Sequence, residues 1–305
     1  MLDAVLIGVP KSGSTTVADW LAAHPGVAMA RIKEPNFYAA ELDPATFSEA
    51  FLRVSPDAAA AYWAQPDPLP WRHQAFVRRP EDYARLWAHA QPGQRRAEAS
   101  TSYFWSPSAA QALPAANPNA RAVVVLRNPV DRAFSHYRMA RKYGLVSGDF
   151  LAELARDAAQ PSAWGQSENF IALSTYAPAL KRWQNSGVKL HVAWYEEAFA
   201  QPEVFWGEVQ AFLGLDPVPL PHREVVHAAH DVRWPAVARF VQHHPLGRTL
   251  KHLMPTSALD AVIRASAASV PLRLSPEARR AAWTYFAEDV QQLEALTGKD
   301  LSLWT

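Results

Sequence analysis

The 305-residue sequence contains no cysteine. That absence removes disulfides, thiolate metal sites and cysteine nucleophiles together, and it suits a reducing compartment. An excess of either charge is missing too: 30 lysines and arginines stand against 29 aspartates and glutamates, for a net charge of +1. With no global field to draw in nucleic acid or an anionic membrane, any anion must be held by a local cluster of cations. No segment reaches the ~18 uninterrupted apolar residues of a membrane helix, and "MLDAVLIGVPKSG" opens without a basic leader. The expectation is a cytoplasmic protein with no membrane span and no nucleic-acid partner. The length suits one domain over residues 1–305, carrying Pro- and Trp-rich insertions around 40–95 and a basic, His-rich segment at 217–255.

The run Ala4 to Val9 is continuously apolar, as a strand buried on both faces of a parallel sheet must be. Mixed polarity at helical spacing follows, ending in "HPG" at His24 to Gly26. "RAVVVL", Arg121 to Leu126, is a second such strand, left through "RNP", with a helix expected over Val130 to Tyr143. Weaker strands are expected at Gly26 to Ala30, Arg95 to Ala99 and Val188 to Tyr195. Alternating strands and helices indicate an α/β fold with a central, mainly parallel sheet. The insertion "YWAQPDPLPWRHQAF", Tyr62 to Phe76, is too apolar for a disordered linker and is expected to wall or cover a site. "LSPEARRAAWTYFAEDVQQLEALTG" is expected to form one amphipathic helix, capped by Ser275, with Pro276 at its first position and Gly298 as its stop.

Between the first strand and its helix lie Pro10, Lys11, Ser12, Gly13, Ser14, Thr15 and Thr16. A helix N-terminus presents free N–H groups and partial positive charge. Gly13 permits a tight turn, Lys11 adds a cation, and the hydroxyls add donors. A polar turn that merely caps the helix is the alternative. The pattern is not the ATP loop G-x-x-x-x-G-K-[ST], because Ser14 follows Gly13 and Lys11 precedes it. Nor does "VVVL" end on a magnesium-holding aspartate; it runs into Arg127. Arg127, leaving the carboxyl end of a strand, suits a phosphate dianion, with a salt bridge to Asp131 as the competing reading. Arg132 reads as structural.

"PKSGSTT" and "VVVLRNPVDRAFSHY" resemble the two donor-binding motifs of the sulfotransferase family, which uses 3′-phosphoadenosine-5′-phosphosulfate (PAPS) as donor. The resemblance implies a P-loop nucleotide-kinase-like sulfotransferase fold with no metal requirement and 3′-phosphoadenosine-5′-phosphate as product. Under it Lys11 contacts the sulfate and the bridging oxygen, Ser12, Gly13, Ser14, Thr15 and Thr16 hold the 5′-phosphate, and Arg127 with Ser135 holds the 3′-phosphate. "RIKEPNFYA", Arg31 to Ala39, is similar to the K-E-P-x-F-[FY] segment of bacterial and glycosaminoglycan-modifying members, which makes Glu34 the catalytic base and Lys11 its catalytic partner at the leaving phosphate. Read without the resemblance, Glu34 forms a surface ion pair with Lys33 and Arg31. His136 is the alternative base, although a histidine in that helix reads first as a core or surface residue. "AEASTSYFWSP" resembles a segment in which glycosaminoglycan enzymes carry a second lysine; here that place is Ala99, and Ser100, Thr101 and Tyr103 are left as polar lining.

His222, His227 and His230 match no standard metal spacing, so no metal site is expected. Of the basic residues that follow, Arg233 is a candidate donor contact. The expected reaction is sulfuryl transfer to a hydroxyl or amine of a small-molecule or glycan acceptor: a carbohydrate, lipid or secondary metabolite. A kinase of the same fold class and a non-catalytic binder of phosphorylated or sulfated ligands are the rival readings.

Overall fold

The apolar run ahead of the loop becomes strand β1 (Ala4–Gly8), and all five of its residues are buried. The computed structural model describes residues 1–160, 164–221 and 272–305. After β1 come α1 (Ser14–Ala23), β2 (Val27–Met29), β3 (Ile32–Glu34), α2 (Glu49–Val54), α3 (Ala60–Trp63), β4 (Arg72–Gln74), α4 (Pro80–Arg85) and β5 (Arg95–Ala99). The next elements are α5 (Pro107–Ala116), β6 (Arg121–Leu126), α6 (Pro129–Lys142), α7 (Phe150–Ala158), α8 (Ala177–Gln184), β7 (Lys189–Trp194), α9 (Tyr195–Ala200) and α10 (Pro202–Leu213). Two further described helices are α11 (Pro276–Trp283) and α12 (Ala287–Thr297).

Five strands pair in the order β2-β5-β1-β6-β7, with every neighbouring pair parallel. Side chains alternate across this sheet as the pleat requires. Ala4, Leu6, Val123 and Val125 meet α1 and α10 on one face, while Val5, Ile7, Ala122, Val124 and Leu126 meet α5, α8 and α12 on the other. Burial on both faces is why these strands read as unbroken apolar runs. On the first face Trp20 is fully buried and packs edge-on against Trp206 with ring centroids 6.1 Å apart. Truncating such a side chain costs about 3–5 kcal/mol, so α1, and the loop at its N-terminus, is firmly placed.

Chain order reverses at β1: the chain leaves it toward β2 and β5 and later returns to β6 on its other side. Ligands of open α/β sheets sit beyond the carboxyl ends of strands at such a switch point. The "RNP" turn starts α6 there, with Asn128 as N-cap accepting hydrogen bonds from the N–H groups of Val130 and Asp131, and Pro129 at the first position.

Two expectations change. The tail is two helices rather than one, although Ser275, Pro276 and Gly298 cap and stop it as expected. The interruption at residues 284–286 follows from two anchors: Phe286 is buried among α6 and α7, and Asp289 accepts hydrogen bonds from the N–H groups of Tyr176 and Ala177 (2.6 and 2.9 Å). The segments "IKE" and "RHQ" form β3 and β4, a separate parallel two-stranded sheet. The Pro- and Trp-rich insertion supplies β4 and thereby holds β3 in place.

Candidate active site

β1 delivers the loop to the carboxyl edge of the sheet, where the Val9 N–H donates to the carbonyl of Val125 at 3.1 Å. Lys11 and Gly13 both take positive φ (71° and 78°), and Gly13 is the N-cap of α1. No side chain caps that helix, so the hydroxyl cluster is not spent on capping. A helix leaves its first N–H groups without internal partners. Ser12 is fully exposed to neither solvent nor partner: it is buried, and its Oγ has no hydrogen-bond partner. Ser14 and Thr16 are buried, whereas Thr15 lines a cleft on the outer side of α1. An additional atom on Gly13 would come within 2.3 Å of the Phe199 ring, so this position accepts only glycine on both steric and conformational grounds.

Cations converge on this loop. The Lys11 ammonium meets Met139 Sδ at 3.6 Å, a weak acceptor for a charged donor. Burial first, and then the positive charges of Arg132, Arg127, Lys142 and Arg138, lower its pKa to about 8. Arg127 donates to the Lys11 carbonyl (2.8 Å) and lies over the Tyr195 ring at 4.4 Å, while its buried Nε has no partner. Asp131 pairs with Arg279 instead, so it does not consume Arg127. Ser135 shares its face of α6 with Met139, one turn further on, and that face is turned toward Lys11. A cluster of buried cations facing orphaned donors disfavours itself unless an anion with several negative oxygens completes it.

Glu34 ends β3. One carboxylate oxygen accepts from Lys33 Nζ at 2.8 Å and the other from Thr101 Oγ1 at 2.9 Å. Burial opposes its ionisation, but the Lys33 charge, these hydrogen bonds and His73 outweigh burial and hold the carboxyl below its usual value. The Lys33 pair does exist, but it is enclosed, with side chains 6% and 15% exposed, and is therefore not the surface ion pair of the competing reading. Thr101 starts a 3₁₀ turn (Thr101–Phe104) that packs on Gly8, where a Cβ would lie 3.0 Å from Phe104 and 3.7 Å from the Thr101 carbonyl. The base candidate and the phosphate loop are thus tied to the same strand end through one turn.

His136 is buried on α6, paired through Nε2 with Glu168 at 3.1 Å and packed on Phe170. Burial lowers its pKa, against the pull of Glu168. Arg132 is fully buried and structural, donating to Ser174 Oγ at 2.6 Å and the Phe170 carbonyl at 2.8 Å. Ala99 is enclosed in the core. Arg233, His222, His227 and His230 lie outside the described residues. Among the described residues no group of three or more His, Asp or Glu side chains is arranged to hold a metal ion, and no helix is long and apolar enough to cross a membrane.

Sequence reasoning gave no role to Tyr195 and treated Lys33 only as an ion-pair partner. For Tyr195 the available signal was its place just after β7, at the same sheet edge as Arg127. Lys33 carried none, because its burial depends on how β3 and β4 meet.

The model of the family described as "Sulfotransferase family" matches residues 4–219. Heparan sulfate glucosamine 3-O-sulfotransferase 6 of Homo sapiens and that of Mus musculus are each 28% identical over 218 residues, covering 70% of this chain and 52% of those proteins. The chain therefore spans about half the length of the curated relatives it matches. The crystal structure of a sulfotransferase from Alicyclobacillus acidocaldarius is similar in fold, with a TM-score of 0.70 at 23% identity over 100% of this chain and 98% of that one. The matched span takes in the phosphate loop, the strand that carries Glu34 and the edge that carries Arg127, and the chain belongs to the sulfotransferase family.

Proposed function

We propose that this protein transfers a sulfuryl group from PAPS to a hydroxyl or amine of a small-molecule or glycan acceptor. The observation that carries the reading is the pair of orphaned donors, Ser12 Oγ and Arg127 Nε, beside the cation cluster around Lys11 at the switch point of the sheet. Ser12, Gly13, Ser14, Thr15 and Thr16 would hold the 5′-phosphate and Arg127 with Ser135 the 3′-phosphate. Lys11 would neutralise the charge that grows on the leaving phosphate, which is the part of the reaction a preorganised cation assists most. Glu34, kept ionised by Lys33, would accept the acceptor's proton as the new S–O or S–N bond forms and the S–O bond to the phosphate breaks. Arg233 would be a further donor contact. The absence of cysteine supports placing the reaction in the cytoplasm.

A kinase would bind its donor through a lysine after Gly13, where this chain has Ser14. Thermal stabilisation separates the two readings. At a hundredfold excess over Kd a ligand adds about 2.7 kcal/mol, and we expect that gain from 3′-phosphoadenosine-5′-phosphate and not from ATP with magnesium. Transfer of labelled sulfate from PAPS to an acceptor panel should fall at least about 100-fold in Lys11→Met and in Glu34→Gln, with both variants still folded. A larger shift with ATP, or transfer that survives both substitutions, overturns the proposal.

A further inference from the structure

On the outer side of α1 lies a cleft of about 640 Å³, between α1, β2, the β3–β4 sheet and the segment that precedes β5. Its lining includes Thr15, from the phosphate loop's own helix, and Lys33, whose ammonium holds Glu34. Trp71 and His73 stand on its opposite wall; they are two apart on an extended chain and so share a face, with ring centroids 6.2 Å apart. Trp71 is 64% exposed, although large aromatic side chains are ordinarily covered. The remaining wall carries Arg31 and His89, and in each a buried nitrogen, Arg31 Nε and His89 Nδ1, has no hydrogen-bond partner. A guanidinium can only donate, so Arg31 Nε is an orphaned buried donor, which is rare in folded proteins and calls for a ligand or water, whereas the His89 ring already bonds the Met29 backbone.

We propose that this cleft is the acceptor site, and that it takes a small acceptor of one or two rings bearing a carboxylate or sulfate. This rests on the reading of Glu34 as the base. The reacting hydroxyl would lie at the Lys33 end, a ring would stack on Trp71, and the anionic group would meet the guanidinium of Arg31. Asp19 adds a carboxylate to the same lining as Arg31 and Lys33; it suits a hydroxyl donor of the ring and disfavours an acceptor with many negative charges. A cleft of this size takes a ligand of about drug size.

Two glycosides that differ only by a carboxylate test the assignment: 4-nitrophenyl β-D-glucuronide and 4-nitrophenyl β-D-glucoside, each titrated calorimetrically into the full chain saturated with 3′-phosphoadenosine-5′-phosphate. The glucuronide should bind at least about tenfold tighter. Arg31→Gln should erase that preference, and Trp71→Ala, at an exposed position where folding is not at stake, should weaken both probes at least about fivefold. Equal binding of the two glycosides, no binding of either, or a preference that survives Arg31→Gln overturns the assignment. Glu34→Gln separates this from the catalytic reading, because it should abolish sulfate transfer while leaving glucuronide binding within about threefold. Transfer that survives Glu34→Gln defeats the base, whereas binding that ignores Arg31 and Trp71 defeats the cleft.

Discussion

Gly13→Ala is the sharpest probe of the phosphate loop, because two separable penalties meet at one atom. A left-handed backbone costs an L-residue about 1–2 kcal/mol, and Gly13 holds φ at 78°. The added methyl would also lie 2.3 Å from Phe199 Cζ, well inside contact distance. Phe199 cannot simply swing away, since its ring packs against Tyr195 at 4.8 Å and Trp20 at 5.9 Å. Forcing a methyl into a packed site costs about 1–3 kcal/mol, so the substitution should destabilise the protein by about 2–5 kcal/mol. In a Phe199→Ala background the steric part disappears and only the backbone part, about 1–2 kcal/mol, remains. The double-mutant cycle should therefore show a coupling of about 1–3 kcal/mol between positions 13 and 199. Urea denaturation of the four proteins measures it. A Gly13→Ala variant within about 0.5 kcal/mol of the parent would mean that neither the left-handed backbone nor the Phe199 ring restricts this position, and the same cost in both backgrounds would mean that the ring does not.

Burial raises the pKa of Glu98 to about 7, only partly offset by hydrogen bonds from Tyr83, Tyr103 and Ser100. A carboxyl raised in the folded state stabilises the fold fully below its unfolded pKa, and that stability is lost as pH rises through about 7. Glu98→Gln should therefore gain about 3 kcal/mol relative to the parent between pH 4.5 and 8, and a pH-independent difference in denaturation free energy would contradict this. Lys11 gives the opposite handle. With its pKa near 8 in the free protein, bound phosphates should draw a proton back onto it. Affinity for 3′-phosphoadenosine-5′-phosphate should thus weaken as pH rises above about 8, with proton uptake visible by calorimetry in buffers of different ionisation enthalpy. Lys11→Met should remove the uptake, and an unchanged uptake in that variant would exclude Lys11 as its source.

The parts of the fold most legible in the sequence are those fixed by local chemistry. β1 and β6 are buried on both faces and so appear as apolar runs, and Asn128 with Pro129 writes the start of α6 into two residues. β3 and β4 could not be read this way. Each has three residues, both are rich in charge and polarity, and each finds its partner some forty residues away, so neither has a pattern to detect. The environment of Glu34 was hidden for the same reason: "RIKE" looks like a solvated charge run, and only the β3–β4 pairing and the Thr101 turn enclose it. The tail misled in the other direction. Its helical spacing continues across residues 284–286, while the interruption is imposed by where Phe286 and Asp289 must dock.

Those docking contacts bear on where this protein can be cut. The family match ends at residue 219, yet Asp289 holds the N–H groups of Tyr176 and Ala177, the Trp304 carbonyl accepts from Asn128 Nδ2 at 2.7 Å, and Trp304 Nε1 reaches Glu196, which also receives the Asn128 N–H. Asn128 is the neighbour of Arg127. A chain trimmed to the matched span would keep Lys11, the Ser12 to Thr16 loop, Arg127 and Ser135 and lose the props beneath Arg127, so the smallest recognisable unit of this protein should prove smaller than its smallest working one.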